Sequence, residues 1–87
     1  MTKKEFVEEL KEMGFTEFKF LNQDAPIYFY IILQHIRLSV TISGKAAGIH
    51  AINKTDLDFR HSVLLKKTDK IDDKFLKSIK KLVNFFA

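Results

Sequence analysis

At 87 residues, with no cysteine, three glycines and one proline, the chain has room for one domain, 1–87, and not for two. The missing thiols exclude a disulfide framework, a thiolate metal site and a cysteine nucleophile. A hydrophobic share of 46%, with nine phenylalanines, supplies a core without such staples, and the net charge is +4.

Thr2 and Glu5 open the first element as a T-x-x-E capping box, in which side chains satisfy orphaned backbone N–H groups of the first helical turn. Phe6, Leu10 and Met13, with Val7 beside them, recur at helical spacing. Gly14 supplies the left-handed residue that ends a helix, and it places Phe15 where it folds back on Leu10.

A sheet follows. Phe18 and Phe20 alternate with Glu17 and Lys19 as a half-buried strand, and Asn22, Gln23, Asp24, Ala25 and Pro26 are turn residues. Residues 27–33 are apolar on both faces, whereas Ile36, Leu38, Val40 and Ile42 alternate with Arg37, Ser39 and Thr41. A single straight strand over 27–42 would run about 50 Å at 3.3 Å per residue, but a domain of this size is only about 30 Å across. A turn or strong bulge is therefore required near Gln34 and His35. Ser43, Gly44 and Lys45 form the next turn, then come a weak strand over 47–52, a turn at 53–56 and a last strand over 59–66.

The final helix is expected to start at an N-cap on Thr68 or Asp69. Ile71, Phe75, Ile79, Leu82, Val83 and Phe86 keep its apolar register, with Leu76 at the margin. The order α-β-β-β-β-β-α defines an α+β fold, a single antiparallel sheet of four to five strands with one helix at each end of the chain. Both helices should pack on one antiparallel sheet and bury Phe6, Leu10, Phe18, Phe20, Leu38, Val40, Phe75, Ile79 and Leu82.

The charge is concentrated at one end. Residues 66–87 carry seven Lys against three Asp, a surplus equal to the whole net charge of +4. On a helical wheel Lys70, Lys74, Lys77 and Lys81 fall on one side, opposite the apolar stripe. Lys80 flanks them, and Lys66 and Lys67 precede the helix. Such a ridge suits a phosphate backbone, whose counterions it would release. The same lysines also serve as an ordinary solvated face, and acid at the start of a helix with base toward its end is what the helix dipole favours.

Chemistry-bearing motifs are sparse. His35, His50 and His61 are 15 and 11 residues apart and lack metal-site spacing, so no metal and no cofactor is implied. Asp56-x-Asp58-x-Arg60-His61 has groups that hold a cation or run acid–base chemistry, and it reads equally as a polar turn with an alternating strand start. There is no Gly-rich phosphate loop and no G-x-S-x-G elbow. Tyr28 and Tyr30 share one strand face, and Phe85 lies off its helix's apolar stripe. These three are the candidate protein contacts.

The opening helix with Gly14 and Phe15 resembles the start of HicA-type ribonuclease toxins over about fifteen residues. Their Gly-Ser-His stretch is missing, because Leu33 and Gln34 precede His35. The strand-and-helix order is similar to that of double-stranded-RNA-binding domains, but Asp69, Asp72 and Asp73 stand where those open their second helix with basic residues. Neither likeness assigns a family.

The expected function is binding without catalysis: a regulatory or inhibitory module of the kind phages and mobile elements encode. It would dock on nucleic acid, or on an acidic surface of a nucleic-acid-handling protein, through Lys66, Lys67, Lys70, Lys74, Lys77, Lys80 and Lys81. The alternatives are a small ribonuclease toxin using His35 or His61, and an adaptor or homodimer joined through a free sheet edge or the Tyr28/Tyr30 surface. No apolar leader opens the sequence and its longest apolar run is too short for a bilayer, so the expected address is cytoplasmic, with no membrane partner.

Overall fold

The computed structural model describes residues 1–18, 27–53 and 63–87, with Glu17, Phe18 and Asn53 in backbone only. Helix α1, Lys3–Glu12, starts where the Thr2 hydroxyl accepts the Glu5 N–H at 3.2 Å. It ends in a paired hydrogen-bond closure. Gly14, at φ +99°, donates its N–H to the Lys11 carbonyl, and Phe15 donates to that of Leu10. Phe15 and Leu10 are both buried as a result, so the residue that closes the helix also joins the core.

Five antiparallel strands follow in an unbroken meander: β1 Thr16–Phe18, β2 Ile27–Leu33, β3 Ile36–Ser43, β4 Ala46–Asn53 and β5 Val63–Thr68. Gln34 and His35 form the two-residue loop between β2 and β3, and Gly44 with Lys45 joins β3 to β4. Each loop opens on a positive φ, +53° at Gln34 and +61° at Gly44, the twist that two-residue hairpins favour. The required turn thus falls where chain length demanded it, in a body of 34 × 31 × 20 Å.

Helix α2, Asp73–Phe86, packs with α1 on a single face of the sheet. Register sets that face. Phe29, Val40 and Ile49 stand in one row, as do Ile31, Leu38 and Ala51, and all belong to or line the core. Phe6, Leu10, Phe75, Leu76 and Ile79 close over them from the helices. Of the expected core, Phe6, Leu10, Leu38, Val40, Phe75 and Ile79 are buried and Leu82 is half-buried against them. Phe18 is described in backbone only, and Phe20 lies outside the described residues.

Two expectations need correction. The last strand does not end at Lys66 but runs to Thr68, so Lys66 and Lys67 are strand residues. Its expected start at Phe59, the turn over 22–26 and most of the turn over 53–56 fall outside the described residues. The second helix begins later than Thr68 or Asp69, with Asp72 as N-cap, its carboxylate accepting the Phe75 N–H at 3.0 Å. The Thr68 hydroxyl is committed elsewhere: it accepts the Lys70 N–H at 3.1 Å and holds a turn. Ile71 precedes the cap and Leu76 sits at the fourth helical position, and both pack in the core region as a hydrophobic staple would. Lys70 therefore lies before the helix, not on it.

Candidate nucleic-acid interface

On α2 the outward positions are Lys74, Lys77, Lys81 and Phe85, within about 80° of one another at 100° per residue. The three lysines are exposed, and Phe85 is 79% exposed. Hydrophobic burial is the rule for a ring this large, so a phenylalanine among lysines on the solvent side is the anomaly of this helix. Its neighbour Phe86 turns inward and meets it edge-on, with ring centroids 5.1 Å apart.

The seven expected lysines divide into groups. Lys66, on the helix-facing side of β5, donates from Nζ to the Ser78 hydroxyl at 2.7 Å, and Ser78 donates to the Lys74 carbonyl at 3.1 Å. Lys66, Lys70 and Lys74 line one depression together with Thr68, Asp72 and Phe75. Lys80 leaves the ridge toward α1 and approaches Glu9 at 3.9 Å, an exposed ion pair of small energetic weight. Lys67 is turned the other way: it stands in register with Gly48 and lines a recess on the opposite face of the sheet.

Tyr28 and Tyr30 do share a face, as their spacing requires, and it is the one away from the helices. Both are half-buried, and the Arg37 guanidinium lies over the Tyr30 ring at 5.9 Å. Sequence reasoning did not nominate Arg37 as the neighbour of Tyr30, nor Gly48 and Lys67 as members of the register row of Tyr28. Only the strand register reveals it, through the rows Tyr28–Thr41–Gly48–Lys67 and Tyr30–Ser39–His50–Leu64.

The histidines separate. His35 is exposed in the β2–β3 loop, whereas His50 sits in mid-sheet on the face away from the helices. His61, with Asp56, Asp58 and Arg60, lies outside the described residues. Among the described residues no group of three or more His, Asp or Glu side chains gathers as a metal site would require. No described helix is long and apolar enough to cross a membrane. No protein-family model matches the chain, and no curated protein or solved structure does.

Proposed function

We propose that this chain is a small regulatory or inhibitory binding module that docks on nucleic acid through the outer face of α2. The observation that carries the reading is Phe85, 79% exposed in line with Lys74, Lys77 and Lys81. A face serving only solubility needs charge and gains nothing from an exposed ring. Cations that neutralise phosphates, beside a ring that offers its π-face to a base, are the two parts of a nucleic-acid contact. An acidic protein surface is the competing occupant. It would use the same lysines but would not require a ring able to stack.

The test is binding of labelled DNA and RNA oligonucleotides across a salt series. Wild-type affinity should fall linearly with salt on logarithmic axes, at about 0.9 per phosphate neutralised on duplex DNA. Lys74→Glu with Lys77→Glu should bind much more weakly and with a shallower slope, while the fold is retained because both residues are exposed. A double variant that binds as wild type does would reduce the ridge to a solvated face.

A further inference from the structure

Half of the large apolar side chains exposed among the described residues are consecutive on one strand: Val63 at 58%, Leu64 at 51% and Leu65 at 37%. Strand β5 ends the sheet, and among the described residues no strand pairs with its outer side. We propose that this edge docks an extended segment of a partner protein, one that sets apolar residues against 63–65 and carboxylates against Lys66 and Lys67. The inference stands apart from the nucleic-acid reading, because it uses the β5 backbone and not the outer face of α2.

The backbone sets the class of partner. An edge strand presents a row of N–H and C=O groups on its free side, and the ligand that satisfies such a row is another extended chain. β5 offers that row over Val63–Thr68, with five of its six side chains exposed and none in the core cluster. Register, with the shift at Leu65, sets Val63, Lys66 and Thr68 beside Ala51, Ile49 and Ala47 on the helix-covered side. Leu64 and Lys67 stand beside His50 and Gly48 on the other side. An added strand therefore meets apolar side chains along the first half of β5, then one lysine on each face.

The charge sets the partner's composition. β5 carries two lysines and no acid. The neutral Ser78 hydroxyl holds Lys66 at 2.7 Å, and Lys67 is exposed. Asp72, the acid that lines the same depression as Lys66, is committed to the Phe75 N–H as the cap of α2. Lys74 lines that depression too, so the helix adds positive charge beside the edge. Lysines on an edge strand are a guard against pairing with whichever strand arrives. Here they leave 63–65 unguarded, so they select: a basic strand is repelled, and one with carboxylates opposite Lys66 and Lys67 is accepted.

A second copy fits this edge less well. Antiparallel pairing of β5 with β5, Leu65 opposite Leu65, leaves the two Lys66 residues only about 8 Å apart, two residues along and one strand across. Each brings its own Lys74 to the seam, and like charges across an interface are penalised. Nucleic acid would satisfy the lysines, but it has no peptide row to pair with the edge and leaves the apolar half of the strand unused.

The probes are labelled synthetic peptides that join an Ile-Thr-Val block to a Glu-Thr-Glu block, in both orders so that both strand directions are tried. Controls carry lysine for each glutamate, or proline in the middle of the apolar block, which forbids the ladder. Fluorescence anisotropy at low salt measures binding to the full chain, and amide hydrogen exchange locates it. At least one glutamate peptide should bind and slow exchange within 63–68. Its lysine counterpart should bind at least roughly 2- to 30-fold more weakly, the range for two cross-strand charge pairs, and the proline control should not bind. Val63→Lys should weaken the glutamate peptide, and Lys67→Glu should shift preference toward the lysine peptide. Both positions are exposed, so circular dichroism should show the fold kept. Glutamate peptides that leave β5 exchange unchanged overturn the proposal, as do glutamate and lysine peptides bound equally, or a proline control bound as well as its parent. A dimer in sedimentation that Val63→Lys dissociates, with 63–68 already protected in the free protein, gives the edge to a second copy and overturns it. Protection of 63–68 by a single-stranded oligonucleotide and by no peptide does the same.

Discussion

The Phe6 ring of α1 stacks on the Phe75 ring of α2, with centroids 5.9 Å apart and planes inclined by 21°. Both side chains are buried and share one cluster with Phe29, Leu38 and Val40, so this pair fastens each helix to the other as well as to the sheet. A buried Phe→Ala substitution typically costs about 3–5 kcal/mol, against a total stability of about 5–15 kcal/mol for a domain. Phe75→Ala should therefore lower the denaturant midpoint sharply or unfold the protein. A loss under about 0.5 kcal/mol would mean that the two rings do not meet in solution.

The closure of α1 gives a second, smaller stability prediction. Gly14 holds φ at +99°, a region L side chains rarely adopt, and a Cβ there would come within 3.2 Å of Ile31 Cδ1. The Ile31 contact is the end of a flexible side chain and can yield, so the backbone conformation supplies most of the cost, about 1–2 kcal/mol. Gly14→Ala should reduce the denaturation free energy by about that amount with a native-like spectrum. An unchanged midpoint would refute the left-handed closure.

The fold was legible because its determinants are local. Thr2 and Gly14 bracket α1, the alternation from Ile36 to Ile42 marks a one-sided strand, and domain size demands a turn or strong bulge within 27–42, near the polar Gln34 and His35. The boundary of α2 was not, because Thr68, Asp69 and Asp72 are all competent caps. Their competition is settled by the Thr68 hydroxyl turning back to Lys70 and by Ile71 packing against the core. The candidate site was half legible. Helical spacing gathers Lys74, Lys77 and Lys81 on its own, but the neighbours of Tyr28 and Tyr30 come from strands whose register no local pattern encodes. Leu65 illustrates the point: register shifts between Ile49 and His50, leaving Leu65 without a ladder partner, and that shift brings Leu64 and Lys67, three residues apart, onto one face.

The ribonuclease alternative has a direct test. His35 stands exposed at the tip of the β2–β3 hairpin, and the nucleic-acid reading gives it no role. Wild-type protein incubated with RNA, with and without divalent metal, should leave the RNA intact. Cleavage that disappears in His35→Ala or His61→Ala would replace the binding reading with a catalytic one.

Phe85 separates stacking from charge. The residue is 79% exposed, so Phe85→Ala removes little buried surface and should shift the denaturation midpoint by less than about 0.5 kcal/mol. It also changes no charge, so the salt dependence of binding should keep its slope, since that slope counts neutralised phosphates. What it removes is a π-face. A base stacked on an aromatic ring is worth about 1–3 kcal/mol, so affinity for a single strand should drop roughly 5- to 150-fold with the slope unaltered. Duplex affinity should change little, because paired bases offer no face to the ring. Phe85→Tyr, which keeps the ring, should restore single-strand binding, and Phe85→Leu, apolar without a π-system, should not. Rescue by leucine as complete as by tyrosine would show the ring filling an apolar pocket of a protein partner, and the nucleic-acid reading of this face would fall.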